Sequence, residues 1–166
     1  MRLLIGCVGC ATLVLLAAGC GREEDLGPPA IAYGAAECEL CKMIISEERF
    51  AAAAVIRGPR GVTKVAFDDV GCLLDFLRDE SRAARVFGFV HDYGSQHWID
   101  ADRAVFVHSD SLHTPMASHL AACDSSAAAT ELLRQFPGAV VEWDRLLAAA
   151  RVDGAAESLS SERSSP

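Results

Sequence analysis

The 166-residue chain is predicted to fold as an α+β protein made of two similar ββαβ units packed together. Three observations predict this. The order strand, strand, helix, strand is read twice along the chain, each helix shows an apolar stripe behind a capping residue, and glycine and proline turns separate the elements. The repeat is architectural and not letter by letter.

The first unit opens with the unbroken apolar run from Phe50 to Arg57, turns at Gly58-Pro59-Arg60-Gly61, and returns from Val62 to Phe67, which reads as a β-hairpin. The Ala51 to Ala54 run argues weakly against a strand, since alanine prefers helices. Asp68 or Asp69 then caps a helix whose Val70, Leu73, Leu74 and Leu77 fall at i, i+3, i+4 and i+7, one stripe toward a core. Val86 to Tyr93 reads as a strand, and Gly94-Ser95-Gln96 turns the chain. In the second unit Ala104 to His108 and His119 to Cys123 read as strands, joined by an irregular loop from Leu112 to Met116. Ser125 or Ser126 caps a helix with Ala129, Leu132, Leu133 and Phe136 inward; Pro137-Gly138 ends it, and Ala139 to Trp143 reads as the last strand. Asp144 is placed as the cap of a short helix from Arg145 to Arg151.

Outside these units the composition changes. Arg2 followed by an uncharged apolar stretch from Leu3 to Ala18 reads as a secretory signal, too short for a span of about 20 residues. Leu16-Ala17-Ala18-Gly19-Cys20 resembles a bacterial lipobox, with Cys20 lipidated as the first mature residue. Gly21 behind that cysteine, where no aspartate stands, resembles cargo sent to the outer membrane. The expected organisation is therefore a signal peptide at 1–19, a flexible linker at 20–37 marked by Glu23-Glu24-Asp25 and Pro28-Pro29, and a folded domain at 38–150 divided near 95. A disordered tail at 151–166, rich in Ser, Ala and Glu, follows.

The formal net charge of −8 becomes −9 once residues 1 to 19 leave with Arg2. Such a chain lacks the basic face that phosphate contacts require, so nucleic acid is not an expected partner. Of seven cysteines, Cys38, Cys41, Cys72 and Cys123 remain beyond the lipobox. Cys72 lies in an amphipathic pattern and Cys123 beside a helix start, where cysteine is most often a small buried hydrophobe.

The chemistry concentrates in Cys38-Glu39-Leu40-Cys41-Lys42-Met43. Thiolate and thioether are polarisable ligands that select a polarisable d¹⁰ ion such as Cu(I) over oxygen-seeking Mg²⁺ or Ca²⁺. The same spacing also fits a disulfide or a redox pair, and Met43 also fits core packing. Met116, in Thr114-Pro115-Met116, stands outside any apolar stripe in a loop that Pro115 stiffens. Brought over Cys41 and Met43, its thioether would complete a three-sulfur site. His113 and His119 are second-rank ligand candidates, because no histidine here has close i, i+4 pairing. No phosphate loop, nucleophile elbow or zinc-protease helix is present, and one Cys-x-x-Cys with two scattered cysteines fits a closed zinc site poorly.

Together the lipobox, Cys41-Lys42-Met43, Phe67-Asp68-Asp69 before a helix, Val90-His91-Asp92-Tyr93, Trp98-Ile99-Asp100-Ala101 and Thr114-Pro115-Met116 resemble the nitrous oxide reductase accessory lipoproteins, the NosL family. The similarity runs from Cys38 to Leu147. It implies two ββαβ units related in shape to part of organomercurial lyase, and a non-enzymatic, Cu(I)-binding copper chaperone. It implies delivery of copper for the copper-sulfide centre of periplasmic nitrous oxide reductase, with the apo-enzyme as acceptor, a further protein as donor and the membrane as anchor. Cys41, Met43 and Met116 are the copper ligands it implies. Two departures stand out: Lys42 sits where family members often have Gly, and Cys38 is a sulfur that the Cys-x-Met pattern does not require. Cys38 thus remains a candidate ligand or the disulfide partner of Cys41. The competing reading is a thiol oxidoreductase or an organomercurial-lyase-like enzyme using Cys38 and Cys41.

Overall fold

Alanine is a poor strand former in isolation, yet the alanine-rich segment Ala52–Gly58 forms β1 at the centre of a sheet in the computed structural model, which describes residues 24–78 and 85–149. β1 is hydrogen-bonded on both sides, and its alternate residues serve two packed faces. Ala52 and Ala54 enter the main core with Phe67, Leu73 and Val90, while Ala53 and Val55 pack with Phe89, Leu26 and Trp98. Burial on both faces, with small side chains, overrides the helix preference of the run.

β2 (Gly61–Phe67) returns from β1 in register, Ala52 opposite Phe67 and Gly58 opposite Gly61. Gly61 takes φ +116°, the region where only glycine is unstrained. Asp69 caps α1 (Val70–Leu77), its side chain accepting from the Gly71 N–H. The stripe is wider than the spacing predicted: Val70, Leu73 and Leu74 are buried, and so are Cys72 and Phe76. β3 (Val86–His91) then pairs antiparallel with the other edge of β1.

The second unit repeats this plan. β5 (Val105–His108) is central between β6 (Leu120–Cys123) and β7 (Ala139–Val141), just as β1 lies between β2 and β3. α2 (Ser126–Gln135), capped by Ser125, fills the place of α1. Its Ala129 and Leu132 are buried and Leu133 and Phe136 pack partly beside them. Gly138 has no room for a side chain, because a Cβ there would run into the His108 carbonyl. The last strand is shorter than predicted, and a helical run at 143–149 begins at Trp143, with Glu142 O accepting from the Arg145 and Leu146 N–H groups. Trp143 stacks on Phe106 instead of extending the strand.

Two segments differ from the sequence-based expectation. β4 (Trp98–Asp100), read as connection, adds to β3 and makes the first sheet β2-β1-β3-β4, so that sheet runs past residue 95. Residues 24–37, read as free spacer, lie against the fold: Leu26 packs on one face of the sheet and Ile31, Tyr33 and Ala36 on the main core. Pro-rich composition is compatible with either state, and apolar residues at four positions decide it. The signal peptide at 1–19, lipidated Cys20 and the tail at 151–166 lie outside the described residues. Among those described, no helix is long and apolar enough to cross a membrane.

The junction between the units explains the Val90-His91-Asp92-Tyr93 segment. Asp92 forms a parallel bridge with Ala122, and its carboxylate accepts from the Ser95 N–H and hydroxyl and from the Asp124 N–H. Burial works to raise the Asp92 pKa, but these donors hold it below the usual carboxylate value. His91 is buried against Trp98, with ring centroids 3.7 Å apart. Its Nδ1 lies 2.7 Å from the Gln96 carbonyl, which can only accept, so Nδ1 carries the proton and Nε2 accepts from the Tyr33 hydroxyl at 2.8 Å. Burial lowers the His91 pKa from 6.5. An unfolded His91 therefore binds a proton before the folded one does, and its contribution to stability is full above about 6.5 and lost as pH falls through the lowered folded value. Denaturant midpoints are expected to drop between neutral pH and mild acid, and His91→Gln is expected to flatten that part of the profile.

Candidate metal site

Three backbone anchors build the site. The turn from Cys38 to Met43 is closed by the Cys38 N–H donating to Met43 O and the Lys42 N–H donating to Cys38 O. The Glu39 N–H donates to Ala66 O at 2.8 Å, which fixes this turn against the end of β2, just before Asp68. Asp68 leads into α1, and Cys72 follows four residues later on the same side of the chain. The result is a cluster: Cys38 Sγ, Cys41 Sγ, Cys72 Sγ and a carboxylate oxygen of Asp68 lie within 4.8 Å of one another. A d¹⁰ ion centred among three sulfurs, with bonds of about 2.3 Å, would set them about 4.0 Å apart. The sulfurs, all within 4.8 Å of one another, are thus near the spacing such an ion would require.

Asp68 Oδ1 accepts from both the Cys41 and the Cys72 thiols, at 3.5 and 3.6 Å. Burial raises the pKa of both thiols. A Met43 N–H hydrogen bond partly offsets this at Cys41, while Cys38 and Asp68 add to it; at Cys72 the neighbouring Cys38, Cys41 and Asp68 push the same way. Both are therefore protonated at neutral pH, and a metal ion must displace those protons. All four described cysteines are free thiols. Cys123 stands apart in the second core, raised to about 11 by burial beside Asp92 and Asp124.

The Met116 loop comes from the other unit and is held by the helix cap. Asp69 Oδ2 accepts from the Met116 N–H at 3.0 Å while Oδ1 accepts from the Gly71 N–H at 2.6 Å. One carboxylate thus positions both α1 and the loop. Met116 lines the same groove, of about 440 Å³, as Leu40, Cys41 and Cys72. Gly71 makes the approach possible, because a Cβ there would fall 2.8 Å from Ser118 Cβ. Replacing helical glycine by alanine ordinarily stabilises by about 0.5–1 kcal/mol. For Gly71→Ala the sign is expected to reverse, with the thermal midpoint falling and about 1 kcal/mol lost to the clash.

Both sulfur-bearing turns hold non-glycine residues in left-handed backbone. Lys42 has φ 63° and Ala117 φ 55°, and His119, at the end of the second loop, has φ 58°. Conformations of this kind cost on the order of 1 kcal/mol and gather at functional sites. At Lys42 this is a conformation that glycine would take without strain.

Of the predicted site residues, Cys38 and Cys41 lie in the cluster and Met116 shares the groove with Cys41. Met43 projects from the turn, 54% exposed, and is not among the groove residues. Neither His113 nor His119 lines it; their Nδ1 atoms hydrogen-bond to the Ser111 and Leu112 carbonyls. Sequence reasoning missed Cys72 and Asp68. Their i, i+4 spacing at a helix start was the available signal, obscured because Cys72 also fits the buried stripe.

Two ββαβ units sharing a core, with thiols of one and a thioether of the other facing one groove, define a duplicated α+β protein with a candidate soft-metal site. The NosL family profile matches residues 30–150, and the chain belongs to the NosL family. Its fold is similar to the crystal structure of the copper chaperone NosL from Shewanella denitrificans, with a TM-score of 0.62 at 24% identity, covering 72% of this chain and 94% of that one. No curated protein matches the chain.

Proposed function

We propose that this protein is a lipid-anchored, periplasm-facing carrier of Cu(I) that delivers copper to apo nitrous oxide reductase for assembly of its copper-sulfide centre. One observation carries the reading: Cys41 belongs to a cluster of three thiols and also borders, with Met116, an open groove. Soft sulfur ligands suit Cu(I). A site that opens to solvent lets an acceptor's sulfur or imidazole bind before the carrier's ligand leaves, so the ion is never free. Met116 and Met43, both exposed, stand where an incoming protein would meet them. Cys20 supplies the anchor, at roughly 0.8 kcal/mol per buried CH₂ of each acyl chain, and Gly21 behind it favours the outer membrane.

The reading is tested by anaerobic Cu(I) titration of the reduced full chain against a chromophoric chelator, followed by mixing with apo nitrous oxide reductase. Stoichiometric uptake and transfer are expected. Failure to compete for Cu(I) overturns the proposal.

A second reading is favoured by Asp68, whose carboxylate accepts from two thiols. Two thiolates that grip mercury and a nearby acid that protonates carbon are what an organomercurial-lyase-like enzyme needs, and a redox pair needs the same thiols. Turnover of an organomercurial or a disulfide by metal-free protein would favour that reading, with Cys38 and Cys41 as its reactive groups.

A further inference from the structure

We infer that the site has two compartments sharing Cys41: an outer one facing the groove with Met116, and a more deeply buried inner one in which Cys38, Cys72 and Cys41 hold a soft d¹⁰ ion. The inference rests on the copper-carrier reading for the identity of the cargo. It adds Cys72 as a ligand, gives Cys38 its place, and supplies a second resting place for the ion.

The separation follows from burial. Cys38 is 0% and Cys72 3% exposed, against 41% for Met116 and 54% for Met43. Cys38 does not line the groove, and Cys72 lines it but is almost wholly covered, so an acceptor's ligand meets the thioethers first. Cys41 is half-buried, within 4.8 Å of the inner sulfurs and on the wall of the groove. It can therefore stay bound while the ion exchanges Cys38 and Cys72 for the thioether of Met116. Thiolates bind Cu(I) more strongly than thioethers because they add charge to softness. The inner compartment retains the ion and the outer one presents it.

Asp68 borders the inner compartment as a hydrogen-bond acceptor. Its Oδ1 accepts hydrogen bonds from the Cys41 and Cys72 thiols in the metal-free protein. When an ion enters, each coordinating thiol loses its proton to the buffer, and the copper remains Cu(I) throughout, so no oxidant or reductant is involved. Asp68 itself is a hard oxygen donor and a poor partner for a soft ion.

The test uses Cd(II) and Cu(I) in parallel on the reduced full chain and on the Cys38→Ser/Cys72→Ser double variant. Thiolate-bound Cd(II) absorbs in the ultraviolet in proportion to the thiolates that bind it. The unmodified protein is expected to show a three-thiolate band, reduced to about one-third in the double variant. In the Cu(I) arm the double variant is expected to lose on the order of 100-fold in affinity and to release Cu(I) faster to a chelator. Should the double variant fold poorly, as its thermal unfolding will show, Cys72→Ala carries the comparison with loss of about a third of the band. Equal Cd(II) bands and equal Cu(I) release rates in unmodified and variant protein would overturn the inner compartment and leave the carrier reading standing. A three-thiolate Cd(II) band without Cu(I) uptake would leave the compartment and remove the carrier.

Discussion

Replacing Cys41 by serine is expected to lower Cu(I) affinity by more than about 100-fold, beyond the cost of removing even an outer-shell partner of a metal ligand. Cys41 and Cys72 both belong to the buried cluster and line the groove, but Cys72 is almost wholly covered while Cys41 is half-buried, so both proposed arrangements of ligands depend on Cys41. Serine keeps the shape and can still donate to Asp68, which received the Cys41 thiol at 3.5 Å. The folded protein should therefore change stability by less than about 1 kcal/mol, because one half-buried hydrogen bond to the Asp68 carboxylate is replaced by another. Chelator competition measures the first quantity and urea unfolding of the metal-free protein the second. Affinity within tenfold of the parent would remove Cys41 from the site. Acid should weaken loading of the parent in the same titration, since burial keeps the Cys41 and Cys72 thiols protonated and the ion must expel those protons.

Asp69→Ala is expected to produce the largest loss of stability, about 3 kcal/mol. Two costs combine. The α1 cap is lost, and the N–H groups of Gly71 and Met116 are left without the carboxylate that receives them at 2.6 and 3.0 Å. Asp69 is fully buried, so water does not readily replace it. Asp69→Asn retains one carbonyl oxygen but turns an amide toward the other N–H, and an intermediate loss is expected. Urea unfolding of the three proteins checks the order. A separate effect should appear in copper binding, because the Met116 loop is no longer tied to the helix that carries Cys72.

The repeat was legible because each helix announces itself. Asp69 and Ser125 stand as caps ahead of apolar stripes, and the turn at Gly58 to Gly61 fits a hairpin. β4 was not, since Trp98-Ile99-Asp100 is too short to show alternation and exists by pairing with β3. The packing of Ile31 and Tyr33 was hidden for a similar reason: their partners are distant in sequence and no local period marks them. At the site, Cys38, Cys41 and Met116 were visible as soft ligands by type. Cys72 was masked because a buried thiol in a helical stripe looks the same whether it packs or coordinates. Asp68 and Asp69 were weighed only as alternative caps, whereas the fold uses both, one facing the thiols and the other joining the helix to the Met116 loop. The histidine of Val90-His91-Asp92-Tyr93 is fixed between Tyr33 and Gln96; its task is architectural.

Asp92 sits where β3 of the first unit meets β6 of the second, receiving the Asp124 N–H at 2.9 Å while the Tyr93 N–H reaches Ala122 O at 2.8 Å. Stitched in this way, and with Phe106 and Ala122 of the second sheet lodged among Phe67 and Val90 of the first, the two halves share one apolar core. On such a frame the proposed cargo would enter and depart through the turning of individual side chains.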